Sequence, residues 1–411
     1  MLLGSACTAG IVADGWVAFG ASPEGARLAR MAQSPRYRDG RFENPEPMWN
    51  DMGNATLSMV KGRALPTSPS APVPTVDVAP ALFATPPASG LRVTWLGHSA
   101  TILEIDGVRV LTDPVFGGRA SPFTWVGPEA WYEPPLPLED VPPVDAVLIS
   151  HDHHDHLQHS TIARIVELGW DTTFIAPLGV GAHLELWGIA PDRIVELDWW
   201  DAHPVSSRDG RHRLDVVSTP SRHASGRHVL DQMATLWTSY ALKGPQHRVF
   251  FSGDTGLTPA FKEIGARHGP FDVVMVEVGA YSRDWPDWHM GPEQALLVHE
   301  WTKGRLFMPI HWGLWTLAAH GWTEPVERIL AAAPAHPDLR LVVPRPGQSI
   351  DVSDDVIAAA TPATVARWWP DVPWQTADEH PIVATRVPGV SPVPDPRVDD
   401  VDVVDVVDVV H

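Results

Sequence analysis

Residues 144–157, VDAVLISHDHHDHL, constrain this chain more than any other stretch. Val147, Leu148 and Ile149 form a short apolar run closed by Ser150, the pattern of a buried strand. His151, His153, Asp155 and His156 follow at once, in the order H-x-H-x-D-H. Neutral imidazole and carboxylate suit zinc and its neighbours, and one short loop can aim them at two adjacent ions. A His-rich turn can also be a solvated loop that binds metal adventitiously. Against that, a buried strand aims this cluster, and single His and Asp residues further on can complete its shell.

Three later stretches repeat one device. STPSRH at 218–223 places His223 straight after a strand. FFSGDTG at 250–256 places Asp254 in a glycine-flanked turn, and MPIHWG at 308–313 places His311 likewise. Strand ends offer rigid backbone, and the loops beyond them give access. Each stretch alone is weak; behind the His cluster they form a set. Cys7 is the single cysteine, so thiolate-rich zinc sites and intrachain disulfides are excluded. Any metal must be held by His and carboxylate.

The 411 residues suffice for a large core. Lys+Arg 30 against Asp+Glu 50 gives a net charge of -20, which argues against nucleic acid as partner. Trp is abundant, 19 residues against 4 Tyr. These rings either pack the interior or line an apolar groove or lipid interface.

Residues 1–88 read as an N-terminal extension ending in a Pro/Ala/Ser-rich connector at 66–87 without a core of its own. Its first twenty residues are weakly apolar, which leaves cytoplasmic and membrane-associated locations both open. The folded domain spans 89–370. Strands are expected at 91–96, 100–105, 108–112, 173–176, 194–197, 214–219, 235–242, 248–252, 273–276, 305–309, 339–343 and 349–352. Helices are expected at 160–168 (Ser160 as cap), 180–187, 292–301 and 325–333, and 113–143 reads as a long loop. Residues 371–411 read as a loop-like tail ending in an acidic, low-complexity Val/Asp repeat.

These motifs resemble the metallo-β-lactamase superfamily. Within it they are most similar to N-acylphosphatidylethanolamine phospholipase D and its bacterial relatives. The narrower likeness rests on TWLGHS at 94–99, LTDP at 111–114, RASP at 119–122, PPVDAVLISH at 142–151, SGDTG at 252–256 and HWG at 311–313. It spans roughly 91–349. His154 departs from the family pattern, which often has an aromatic or other residue there. The resemblance implies an α/β fold, a four-layer αββα sandwich of two mixed β-sheets flanked by helices.

The resemblance also implies that His151, His153 and His223 bind one metal, that Asp155, His156 and His311 bind a second, and that Asp254 bridges them. Two zinc ions are expected, with iron or manganese also accepted by such a shell. A hydroxide between the metals is the expected nucleophile. Asp155 and His289 are the catalytic candidates, His289 either orienting a ligand, protonating the leaving group or merely packing. Arg222, Arg227 and His98 are the substrate-side candidates. The arginines either hold a phosphate or are solvated, and His98 either stands behind the metal ligands or packs. The expected activity is a phospholipase D-like phosphodiesterase on a lipid-like substrate, with a membrane surface as a possible partner. A lactonase or other ester/amide hydrolase, and a non-catalytic metal-binding scaffold, are the alternatives. Oligomeric state is left open.

Overall fold

The computed structural model describes residues 15–51, 53–54, 65–385 and 387. Most of the weakly apolar first twenty residues, and the Val/Asp repeat, lie outside the described residues. A helix, α1 (Gly25–Met31), and a short hairpin, β1 (Tyr37–Arg38) with β2 (Arg41–Phe42), precede the main body.

The main body holds two mixed sheets. In the first, β3 (Leu91–Gly97), β4 (Ala100–Ile105) and β5 (Val108–Thr112) form an antiparallel meander. Asp106 and Gly107, at φ 49° and 89°, supply the left-handed pair a tight hairpin needs. Beside β5 run parallel β6 (Ala146–Leu148), β7 (Thr173–Pro177) and β8 (Ile194–Leu197). The second sheet joins antiparallel β9 (Ala202–Ser206), β10 (Arg213–Thr219), β11 (Ser239–Lys243) and β12 (Arg248–Phe251) to parallel β13 (Phe271–Glu277) and β14 (Gly304–Ile310). β15 (Ser349–Asp351) closes the first sheet beside β3.

Alternation along the strands builds the layers, because neighbouring side chains leave opposite faces. Val93, Trp95, Leu103 and Ile105 meet Val216, Tyr240, Leu242 and Phe251 in one buried cluster. Ile102, Leu111, Val147 and Phe174 pack instead with Ile162 and Ile165 of α2 (His159–Glu167) and Leu184 of α3 (Gly181–Leu186). Phe261 and Ile264 of α4 (Ala260–Arg267), Ala295 of α5 (Pro292–Trp301) and Val326 of α6 (Glu324–Ala332) join the second sheet's core. Each fully buried large apolar side chain contributes about 1.5–3 kcal/mol. The αββα sandwich implied by the motifs is the observed fold.

Several local expectations are corrected. The helix expected at 160–168 begins at His159, and Ser160 is not its cap. The strand expected at 235–242 begins at Ser239. Residues 235–238 instead serve the neighbouring loops: Thr235 Oγ1 donates to Asp152, Trp237 Nε1 to Ser221 O, and Thr238 N to Ser150 O. The strand expected at 339–343 is reduced to one bridge between Phe307 and Leu341. β9 carries Pro204, which a proline-averse strand reading passes over but an edge position tolerates. The Pro-rich connector does contribute to a core, since Val78 and Phe83 pack in the cluster on the outer face of the first sheet. Among the described residues, no helix is long and apolar enough to cross a membrane.

Candidate metal centre

The loops leaving β6, β10, β12 and β14 converge at one edge of the sandwich. His151, His153, Asp155 and His156 follow β6; His223 follows β10; Asp254 follows β12; His311 follows β14. Gly253 permits the approach of two of these loops. It sits at φ +55°, and a Cβ there would lie 2.6 Å from Ser150 Cβ. His98 and His311 are non-glycine residues at φ 52° and 62°, and His311 N donates to His98 O at 3.0 Å. Left-handed backbone of this kind costs about 1–3 kcal/mol and persists where surrounding contacts enforce it.

The ligand atoms of His151, His153, His223 and Asp254 all lie within 4.8 Å of one another. Those of His98, Asp155, His156 and His311 form a second such group. His153 Nδ1 is 2.9 Å from His151 Nε2 and 3.2 Å from His223 Nε2. Asp254 Oδ2 stands between the groups, 3.1 Å from His156 Nε2, 3.0 Å from His311 Nε2, 3.7 Å from His223 Nε2 and 3.8 Å from His151 Nε2. Asp254 Oδ1 is buried with no hydrogen-bond partner among the described residues. Converging imidazole nitrogens around a carboxylate with an unused oxygen fit a cation held by nitrogen and oxygen ligands. All seven expected ligands therefore meet in one place.

Burial would raise the Asp254 carboxyl, but the His156 and His311 imidazoles beside it hold it well below the ordinary range. Burial likewise opposes charge on His311, yet Asp254 and Asp155 hold it up to about 10. Burial drives His151 and His223 well below the usual imidazole value. Bound cations would take over the positive charge that protons carry here.

A second layer fixes the rings. Asp113 Oδ2 lies 2.7 Å from His156 Nδ1, and Asp113 Oδ1 accepts from Ser150 N at 2.7 Å. His223 Nδ1 meets Trp288 O at 2.8 Å. Such outer contacts fix tautomer and ring orientation. Asp152 braces the loop, its Oδ1 accepting from Gly226 N at 2.7 Å. Asp155 Oδ2 is shared by His98, His311 and His156 at 3.1, 3.3 and 3.5 Å. His98, expected on the substrate side, stands with the second group of candidate ligands; its ring centroid is 4.0 Å from that of His311. His289 Nδ1 lies 2.7 Å from Glu277 Oε2, and its ring stacks on His311 at 5.2 Å.

Sequence reasoning passed over Glu277, Asp113 and Asp152. Glu277 ends the apolar strand FDVVMVE and so carries the same strand-end signal as Asp254. Burial, and then the Asp254 charge, raise its carboxyl well above the ordinary range. The two arginines are a correction. Arg222 is fully buried, with Nη1 2.9 Å from Asp287 Oδ1 and donating to Thr385 O. Arg227 is 3% exposed and donates to Ala18 O, Asp152 O and Leu157 O. Both guanidinium groups brace the ligand loops from inside and do not face a substrate. His154 also turns away, its Nε2 3.0 Å from Arg227 O.

Beside the second group lies a small pocket of about 20 Å³, bordered by His98, His311 and the rings of Trp131, Trp312, Trp315 and Trp322. Trp312 Nε1 and Trp315 Nε1 are buried without hydrogen-bond partners among the described residues.

Residues 108–312 match the beta-lactamase superfamily domain. The chain is 43% identical over 383 residues to an uncharacterized protein of Mycobacterium tuberculosis, covering 89% of this chain and 97% of that one. It is 34% identical over 259 residues to an N-acyl-phosphatidylethanolamine-hydrolyzing phospholipase D of Caenorhabditis elegans, covering 61% and 72%. It is 26% identical over 275 residues to a metal-dependent hydrolase of Methanopyrus kandleri, covering 64% and 100%.

Proposed function

The chain belongs to the beta-lactamase superfamily of metal-dependent hydrolases, and from that premise we propose that it cleaves a lipid-like phosphodiester with two metal ions. Zinc is the metal the ligands suit first, with iron or manganese next. The observation that carries the reading is the tryptophan-walled pocket opening directly beside His98 and His311. Indole surface at the mouth of the site suits an acyl chain or similar tail. The Caenorhabditis elegans relative, named for hydrolysing a phospholipid, supports the same substrate class.

Bound at these residues, two cations would supply a nucleophile from water near neutral pH and polarise the phosphoryl oxygen. The chain's residues do the positioning. Asp254 sits between the two ligand groups and keeps them in register. Asp113 and Trp288 O hold His156 and His223 by Nδ1, so that Nε2 of each faces the centre. Burial lowers His289 to about 4, so the ring is neutral and relays a proton: the raised Glu277 carboxyl passes its own to Nδ1 while the other ring nitrogen releases one to the departing oxygen.

Turnover of metal-loaded protein of known metal content, on a panel of phosphodiesters, lactones and β-lactams, tests the proposal. Bis(nitrophenyl) phosphate and glycerophospholipids are expected to be hydrolysed in preference. Ready opening of a lactone, with both phosphodiesters untouched, would overturn it.

A further inference from the structure

We infer that Asn44, far outside the catalytic domain in sequence, is a positioning residue for the ligand His223. The inference rests on reading His151, His153, His223 and Asp254 as a metal site. Asn44 Oδ1 accepts from His223 N at 3.1 Å, while Asn44 Nδ2 donates to His223 O at 2.7 Å. His223 lies beyond the end of β10, one residue past the isolated bridge between Arg222 and Gly256. The Asn44 amide therefore does for this one residue what a neighbouring strand would do, pairing both backbone groups.

Anchors on either side hold the amide in place. Phe42, two residues before it, is 1% exposed and packs with Met31, Leu178 and Trp237. Phe42 N donates to Met233 O at 2.8 Å. Beyond it, Pro47 O accepts from Arg222, and Trp49 N donates to Asp287 Oδ2 at 2.8 Å. With the His223 backbone clamped by Asn44 and Nδ1 tied to Trp288 O, Nε2 is left facing His153 Nδ1 at 3.2 Å. The other cluster is organised differently. The His311 backbone N–H is paired with His98 O and His156 with Asp113, both inside the domain. Among the described residues, the extension thus hydrogen-bonds to a candidate ligand of the first group, while Thr67 only borders the pocket beside the second.

The test follows zinc release from the full, zinc-loaded chain to a colorimetric chelator. In Asn44→Ala, one zinc equivalent should leave roughly 10- to 100-fold faster than in the unmodified chain, the usual effect of losing an outer partner of a ligand. The second equivalent should leave at the unmodified rate. Asn44→Asp, which keeps the acceptor for His223 N but loses the donor to His223 O, should fall between. Arg27→Ala is the control, because Arg27 pins the extension to Glu185 and Glu196 without touching His223. Its two release phases should be unchanged, as should thermal unfolding of metal-free Asn44→Ala. Unaltered release in Asn44→Ala, equal acceleration of both equivalents, or the same acceleration in Arg27→Ala would overturn the inference. An unmodified chain that binds no zinc would instead overturn the functional reading, and the clamp with it.

Discussion

Glu277 Oε2 lies 2.7 Å from His289 Nδ1, and the other oxygen of the same carboxyl accepts from Thr255 N at 3.1 Å and Met290 N at 3.2 Å. The buried carboxyl is thus locked from one side and dictates the tautomer and aim of His289 from the other. With the raised Glu277 carboxyl supplying a proton to Nδ1, the ring can pass one on to the leaving oxygen. His289→Gln should lower kcat by about 10²-fold or more on a glycerophospholipid, whose alcohol leaves poorly without a proton. The loss should be far smaller on bis(nitrophenyl) phosphate, whose leaving group is stable as an anion. Equal losses on both substrates would remove His289 from that role.

Asp254→Asn keeps shape but removes the charge between the two ligand groups. Metal content should fall from two equivalents toward one, and turnover by about 10²-fold or more, since outer-partner losses alone reach that size. Elemental analysis and far-ultraviolet circular dichroism check it together. Both metals retained with near-normal turnover would show that Asp254 bridges nothing.

Asp113 meets His156 Nδ1 at 2.7 Å and is fully buried. Asp113→Asn should weaken the site containing His156 by roughly 10- to 100-fold in metal affinity, read by competition with a chelator. It should spare the site containing His223, the reverse of Asn44→Ala. Weakening of both sites alike would mean that the two clusters are not independent.

Trp131 is half-buried on the pocket wall. Trp131→Ala should reduce kcat/KM for a long-chain phospholipid about 10- to 100-fold, the equivalent of about 1.5–3 kcal/mol of lost apolar contact. It should leave short-chain phosphodiesters nearly unaffected. A uniform loss across chain lengths would place the tail elsewhere.

The sequence by itself determined the sandwich and singled out the candidate ligands that its strand ends bring together. A strand end followed by a ligand and a turn is a local pattern, written three times after the His cluster of 151–156, and strand periodicity is local too. What it could not decide depends on distance through space. Arg222 and Arg227 flank His223 as a phosphate clamp would, and only packing reveals that both guanidinium groups turn inward to Asp287, Ala18 and Leu157. Asp113 finds His156 across 43 residues and Asn44 finds His223 across 179. No periodicity encodes such pairings, because hydrogen-bond partners are chosen by which loops the two sheets bring to one edge.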